Sequence, residues 1–495
     1  MATVDEPPPN LTAVVLTHIV DSNFDSSRGA IKADLAGKIV YDDPNVFRRL
    51  CVSAHEDRLV NRSAESLKTY CAVDINLLKE LVAKASFKSV EILEQEENDD
   101  KANNQEKDRR SGNHGSVEEK KMYPPLVRDY LDGFFFLPLN ILYQMRLFAH
   151  IVQFNQTIGR RKFENTSGML KADEQHMFGF PSASPDITIS LEGVDAAGSK
   201  NWHHRDAFGE VKPTKKQGPK PATGGTILPI VTQCADYARL FMSARPFMLF
   251  CVGILIFGTE FCVGIFDRDG ITFSPNYDMF EDTETLVRVV RSLACELTIN
   301  EIGLDPTVKL LTDEETKALT GQNVYPSAVV SCAGRDLCTI GPPIWSSVSL
   351  LGRGTNVWCT KEYVLDKDQI PRLRGNKMIM KTAWRNSGRT PESDIYKAIE
   401  EDQYPKGLAR FEFGGDVLFP LSRFPITVRN LRNEPHQNLL IHSNATPVLH
   451  RLVLSTIGRP MWDYQSEFDL LCGFRDSIRG ESSLFGGWVS SLTIS

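Results

Sequence analysis

Apolar and polar positions divide the chain into regions of different character. Residues 94–121 contain almost no apolar side chain, so this stretch cannot bury enough surface to offset the entropy lost on ordering it. We predict a disordered polar linker there. It separates a mostly helical region, residues 1–93, from residues 122–285, where helical and strand-like periodicities alternate. A connecting segment, residues 286–340, and a third unit, residues 341–495, are predicted to follow.

The hydrophobic pattern of residues 122–285 predicts one α/β unit. Strands are predicted at residues 185–193 and 207–213, where apolar and β-branched side chains cluster between turn residues. A helix is predicted at residues 227–244, and a hairpin at residues 250–266. Helical spacing is also present within residues 123–152, so the predicted order is helix, strand, strand, helix and strand.

One apolar segment is nearly long enough to cross a bilayer. Residues 247–266 contain Glu260, however, and Gly258 and Thr259 interrupt the apolar run. Because the flanks read as two strands around a Gly-Thr-Glu turn, we predict a buried hairpin and no membrane contact.

Composition limits the partners and the compartment. The net charge of −7 disfavours a generally basic nucleic-acid binder. One small basic loop, with Lys212, Lys215, Lys216 and Lys220, could receive a nucleic-acid backbone, but a solvated loop is the preferred interpretation. The ten cysteines include no C-x-x-C pair, which favours a reducing compartment, either the cytoplasm or the nucleus.

The first candidate site begins with a glycine loop. A predicted strand, residues 348–351, leads into Gly352 and Gly354, which are followed by Thr355. Glycine has no Cβ, so the backbone N–H groups of such a loop can approach a phosphate closely.

A lysine and a glutamate farther along the chain complete this candidate site. Lys381 ends a second predicted strand, residues 378–381, and its ammonium group there requires an anion such as the phosphates of a nucleotide. Glu392 opens a predicted helix and could pair with Lys381.

Several blocks of the sequence resemble the fungal-type protein kinase family: LLGRGTNVW, MIMKTAWR, HRLVLSTIGRPMWDYQSEFDLL and FRDSIRG. In that family a G-R-G-T-x-V loop and a T-x-G-R-P hinge recur in this order. The resemblance covers roughly residues 123–480. It implies an ATP cofactor, Ser/Thr phosphoryl transfer to a protein substrate, and Lys381 as the phosphate-binding residue with Glu392 as its partner. It also implies that adenine lies against the hinge at residues 455–458, which ends at Gly458.

The chain departs from the kinase pattern in three places. Val357 stands where the third glycine of G-x-G-x-x-G is usual. The tripeptide His204-Arg205-Asp206 spells H-R-D but precedes Lys381 instead of following it, so we interpret it as a coincidence. After residue 480 the chain reads ESSLFGGWVSSLTIS, without H-R-D or D-F-G. We therefore expect an N-lobe with an incomplete, truncated C-lobe that does not transfer phosphate.

A second candidate site matches the PD…(D/E)xK pattern of restriction-endonuclease-like folds. Asp186 follows Pro185, and Glu210 and Lys212 are two residues apart on a predicted strand, so they share one face. Asp186 and Glu210 would bind Mg²⁺, and Lys212 would orient the water that attacks a phosphodiester. Members of the fungal-type kinase family commonly carry such a region before the kinase lobe. The alternative is an inherited scaffold in which Lys212 only forms an ion pair.

The sequence predicts a multidomain protein of α/β and α+β class. A PD-(D/E)xK-like α/β unit precedes a protein-kinase-like N-lobe and an incomplete C-lobe. Three functions stay open: a kinase-like ATP-binding transferase that is inactive as it stands, a Mg²⁺-dependent nuclease, and a non-catalytic pseudokinase scaffold that binds a protein partner.

Overall fold

Two compact units make up the described part of the chain. A computed structural model describes residues 24–52, 61, 64–65, 161–165, 170, 183–191, 201–212, 214–222, 225–321, 325–399, 404, 407–432, 446–458 and 464–476. The N-terminal unit comprises Asp25–Ala172 with Ser182–Leu304, and the C-terminal unit contains Asp305–Ser495. The predicted linker, residues 94–121, and most of residues 1–93 lie outside the described residues.

Among the residues that the structure describes, an eight-stranded mixed sheet forms the N-terminal unit. Its strands are β1 (Ile39–Val40), β2 (Arg161–Asn165), β3 (Ile187–Leu191), β4 (Ala207–Lys212), β5 (Phe250–Phe257), β6 (Glu260–Asp267), β7 (Gly270–Phe273) and β8 (Tyr277–Asp278). Its helices are α1 (Phe24–Asp34), α2 (Asn45–Arg49), α3 (Pro229–Ala244) and α4 (Thr283–Arg291), which continues into a π-helical turn, Ser292–Glu296. The strand order is β1-β7-β6-β5-β4-β3-β2, and β8 pairs with β6.

The core of this sheet lies around β5. All eight residues of β5 are buried, as expected for a central strand with both faces covered. Strands β2, β3 and β4 run antiparallel, whereas β5 runs parallel to β4. A parallel connection needs a crossover, and α3 provides it between β4 and β5. Most of α3 is buried accordingly.

In the described part of the C-terminal unit, the strands form a second eight-stranded sheet. Its strands are β9 (Val308–Leu310), β10 (Ala328–Cys332), β11 (Arg335–Thr339), β12 (Trp345–Ser346), β13 (Asn356–Leu365), β14 (Pro371–Asn386), β15 (Phe411–Asp416) and β16 (Pro447–Leu454). Its helices are α5 (Asp313–Thr320), α6 (Glu392–Lys397) and α7 (Val428–Leu431). The order is β15-β16-β14-β13-β11-β10-β9, with β12 paired to β13.

Most long elements agree with the sequence analysis. The predicted strands at 185–193 and 207–213 correspond to β3 and β4, and the predicted helix corresponds to α3. The apolar segment forms the predicted hairpin, β5 paired with β6 around a turn. Among the described residues, no helix combines the length and the apolar character that a membrane span requires.

The approach to the glycine loop differs from the prediction. The strand predicted at residues 348–351 is wrong, because the pairing with β13 is made earlier, by Trp345 and Ser346. Leu350 is buried in a bend instead, so its apolar character reflects packing and not strand pairing. The predicted connecting segment, residues 286–340, contains most of α4 in the N-terminal unit, and α5 and β9–β11 in the C-terminal unit.

Candidate functional site

Lys381 lies in the middle of the C-terminal sheet. On β14 it stands opposite Val357 of β13 and Leu452 of β16. An ammonium group among apolar strands is unfavourable unless it meets a polar partner. Its Nζ donates to both carboxylate oxygens of Glu392, at 2.8 and 2.7 Å. The structure therefore brings these two predicted residues together.

The short helix α6 carries Glu392 in its first turn. A carboxylate at this end of a helix interacts favourably with the partial positive charge of the helix N-terminus. Farther along α6, Tyr396 stacks on Phe411 of β15, with ring centroids 5.5 Å apart and an interplanar angle of 14°. Burial and the nearby Glu392 carboxylate raise the pKa of Tyr396 to about 12, so its phenol stays neutral. This stacking holds α6 against the sheet.

The glycine loop lies beside the ion pair. Gly352 and Gly354 have φ values of 85° and 45°, which glycine adopts without strain. Among the described residues nothing lies within 4 Å of a Cβ built at Gly352, so the loop is open there. The Trp384 N–H donates to the Arg353 carbonyl at 2.7 Å. The Arg353 guanidinium lies 3.6 Å from the Glu392 carboxylate, which places the loop next to Lys381.

Two other predicted nucleotide-binding residues lie at the margins of this site. The Thr355 carbonyl accepts a hydrogen bond from the Ser347 N–H at 2.9 Å, which ties the end of the loop to the segment before it. Gly458 lies four residues beyond the end of β16 and is exposed. Its predicted contact with adenine remains a prediction.

A second polar cluster lies where β3 begins and β4 ends. Lys212 Nζ donates to Glu210 Oε1 at 2.8 Å. Asp186 Oδ2 accepts a hydrogen bond from the Val211 N–H at 2.7 Å. The Glu210 side chain is only 1% exposed, and that of Lys212 is 14% exposed. The structure thus places the three residues of the PD…(D/E)xK pattern side by side.

Helix α3 adds two side chains to this second cluster that the sequence analysis missed. Gln233 Nε2 donates to Glu210 Oε1 at 2.6 Å and to the Tyr237 hydroxyl at 2.7 Å. Burial, and after it the charge of Glu210, raises the pKa of Tyr237 well above its usual value. The sequence contains one indication of this arrangement: Gln233 and Tyr237 are four residues apart, which places them on one face of the helix.

A magnesium ion would find two carboxylates in this cluster, Asp186 and Glu210. Within the described ranges, no group of three His, Cys, Asp or Glu side chains is placed to hold a metal ion. Magnesium usually keeps several waters and uses one or two protein carboxylates together with substrate phosphates. The cluster therefore fits a hydrated magnesium ion and does not form a closed protein cage for one.

The H-R-D tripeptide belongs to a buried ion-pair network. The Asp206 carboxylate pairs with Arg161 at 2.7 Å and also with Arg245. Arg161 in turn donates to the Leu297 carbonyl at 2.6 Å, beyond the π-helical turn. Burial alone would raise the pKa of Asp206, but the charges and hydrogen bonds of Arg245 and Arg161 lower it below its usual value. Asp206 is therefore a structural residue, and its ion pairs stabilise the N-terminal unit.

Lysines of the basic loop form ion pairs with carboxylates from other parts of the N-terminal unit. Lys215 lies 3.1 Å from Glu260 and 3.6 Å from Asp278. Lys220 pairs with Asp42. These pairs reduce the positive charge that the loop presents, which supports the solvated-loop interpretation over a nucleic-acid surface.

The family assignment follows from a sequence comparison. A family model described as fungal protein kinase matches residues 185–490, which is more than half of the chain. The chain belongs to the fungal protein kinase family. The match spans both polar clusters, and the mixed α/β architecture with two sheets is compatible with a kinase-like fold. No curated protein and no solved structure matches this fungal protein kinase family member significantly.

Proposed function

We propose that the C-terminal unit of this fungal protein kinase family member binds ATP. The observation that carries the proposal is the two-pronged ion pair of Lys381 with Glu392 beside an open glycine loop. Lys381 would contact the α- and β-phosphates, as the strand lysine does in protein kinases, and Glu392 would hold its ammonium in place. The phosphates would be contacted by backbone N–H groups of Gly352, Gly354 and Thr355.

The exposure of the ion pair suits this role. The side chains of Lys381 and Glu392 are 25% and 32% exposed, so an incoming phosphate can reach the ammonium without unfolding the sheet. The family indicates Ser/Thr phosphoryl transfer with Mg²⁺ as the associated chemistry. That step also needs a catalytic aspartate and metal-binding side chains, which Lys381, Glu392 and the glycine loop do not supply. Nucleotide binding is the function that this group of residues supports.

The test is the affinity for ATP measured by isothermal titration calorimetry. Lys381→Met removes the ammonium while keeping a similar volume, and we expect the dissociation constant to rise at least about tenfold, equivalent to about 1.4 kcal/mol. Lys377→Met is the matched control, because Lys377 lies four residues earlier on β14 and is exposed. An affinity that is the same in both variants and in the parent protein rejects the proposed site.

We further propose that the N-terminal unit, which includes most of the predicted region 122–285, is a PD-(D/E)xK-like fold. The supporting observation is its topology: three antiparallel strands, β2 to β4, then α3, then β5 parallel to β4. The hydrogen bond from the Val211 N–H to Asp186, and the ion pair of Lys212 with Glu210 on either side of Val211, support this proposal. Magnesium-dependent cleavage of nucleic acid is the second candidate function on this ground.

Nicking of supercoiled plasmid in the presence of Mg²⁺ tests the second candidate. We expect Glu210→Gln to abolish nicking and Glu260→Gln, a partly exposed carboxylate on β6, to leave it unchanged. Nicking that survives Glu210→Gln excludes this site. A protein that neither binds ATP nor nicks plasmid leaves the third interpretation, a non-catalytic scaffold for a protein partner.

A further inference from the structure

A partly buried polar cluster lies between helix α6 and the strands β14, β15 and β16. His450 of β16 is 5% exposed, and its Nδ1 lies 2.9 Å from Asp416 Oδ1. Arg385 of β14 binds the same carboxylate through Nε at 2.7 Å and Nη2 at 2.5 Å. On its other side, His450 Nε2 accepts a hydrogen bond from the backbone N–H of Ser393 at 3.4 Å. Ser393 is the residue directly after Glu392 and is buried.

The two contacts of His450 require one protonation state. Burial would raise the pKa of Asp416, but its hydrogen bonds to Arg385 and His450 hold that pKa well below the usual range, so Asp416 is an anion and accepts only. Nδ1 must then carry the proton that faces Asp416. Nε2 accepts from Ser393 only while it carries no proton. Neutral imidazole with its proton on Nδ1 is therefore the one form that satisfies both neighbours.

We propose that His450 is a positioning residue that anchors the first turn of α6, and with it Glu392, in a proton-dependent way. While Nε2 is unprotonated, it holds the Ser393 N–H and so keeps Glu392 within reach of Lys381. When Nε2 takes up a proton, two N–H groups face each other, and Ser393 loses its acceptor in a buried site. The consequence for nucleotide rests on the proposed function, whereas the anchoring of α6 does not.

Charged groups from each neighbouring element lie near His450. On the Nδ1 side of the ring lie Asp416 of β15 and Arg385 of β14, which binds Asp416. On the Nε2 side lies the first turn of α6, where Glu392 and Asp394 flank Ser393. A proton on Nε2 removes the acceptor of the Ser393 N–H, and through Ser393 it acts on the position of Glu392.

The experiment is hydrogen–deuterium exchange of the full chain, read by mass spectrometry on peptides that contain α6. After correction for intrinsic exchange, we expect protection of α6 to fall roughly tenfold between about pH 8 and about pH 5, the range in which histidine titrates. Helix α5 of the same unit is the internal control, and its protection should change little.

Two variants separate anchoring by a proton-sensitive group from simple packing. His450→Gln offers an acceptor and a donor but no titratable group, so we expect protection of α6 near the neutral-pH value at every pH. His450→Phe offers neither, so we expect low protection at every pH. Parental protection that does not depend on pH, or a His450→Phe protein protected like the parent, overturns the proposal. If His450→Phe does not fold, the parent and His450→Gln profiles decide alone.

ATP titrations on the same samples distinguish the two proposals. We expect the affinity of the parent protein, but not that of His450→Gln, to weaken several-fold toward about pH 5. If no form binds ATP while the exchange profiles behave as expected, the ATP-binding proposal fails and the anchoring role of His450 stands.

Discussion

The two units each contain a lysine–glutamate ion pair of nearly equal length in very different surroundings. In the N-terminal unit, Lys212 and Glu210 lie two residues apart on one strand, and the glutamate is only 1% exposed. In the C-terminal unit, Lys381 and Glu392 lie on a strand and a helix, and both are partly exposed. The N···O distances are 2.8 Å and 2.7 Å. Distance therefore does not distinguish the two pairs.

The difference in burial determines what each pair can do. A buried charge loses its hydration, so its partners become essential to stability, and removal of one partner is strongly destabilising. A partly exposed pair contributes little to stability, because water and salt screen it. The exposed side of the Lys381 ammonium can consequently accept a phosphate while Glu392 holds it in place, whereas Glu210 is enclosed and accepts hydrogen bonds from both Lys212 and Gln233.

The largest expected effect concerns the buried ion-pair network around Asp206. Asp206→Asn leaves two arginines, Arg161 and Arg245, without their anion, and we expect the unfolding free energy at neutral pH to fall by about 4 kcal/mol. Because the pKa of Asp206 is lowered in the folded protein, its contribution is present above about pH 4, the unfolded value, and is lost as the pH falls through the folded value. Urea unfolding between about pH 7 and about pH 2 measures this. A parent and a variant with parallel pH profiles contradict it.

A smaller but still large effect is expected at the buried lysine–glutamate pair. Lys212→Met removes the cation beside the buried Glu210 carboxylate, which still accepts a hydrogen bond from Gln233, and we expect the free energy of unfolding to fall by about 3 kcal/mol. Adding Glu210→Gln should recover most of that loss, since the buried negative charge is then gone. Thermal unfolding of the two variants makes the comparison. A double variant no more stable than Lys212→Met would show that packing, and not charge, explains the loss.

The smallest effect is expected at the open pair. A double-mutant cycle with Lys381→Met and Glu392→Gln should give a stability coupling of about 0.5 kcal/mol. That coupling should shrink toward zero at about 1 M salt, where the Debye length is about 3 Å. Urea unfolding at low and high salt measures both. A coupling above about 2 kcal/mol that does not change with salt would contradict the inferred difference between the enclosed and the partly exposed lysine–glutamate pair.

Sequence patterns predicted the elements whose cause is local. The eight-residue apolar run of β5, the turn at Gly258 and the helix beginning near Pro229 all follow from nearest-neighbour preferences and periodicity. The strand at residues 348–351 was wrong because apolar residues also bury in bends. The contact of Gln233 with Glu210 was not predicted, because it joins a helix to a strand. The spacing of residues around Glu210 therefore does not indicate it.

The sequence by itself determined the family and indicated which charged residues belong to the two candidate sites. Glycine, lysine and carboxylates at given spacings restrict the chemistry that a site can support. Burial was decided only by the tertiary structure. Which lysine–glutamate pair is enclosed and which is open depends on the strands and helices that cover each one. The same holds for His450, whose role depends on Asp416 and Ser393, 34 and 57 residues away along the chain. Such contacts form only when three separate elements pack together, so the local sequence pattern does not predict them.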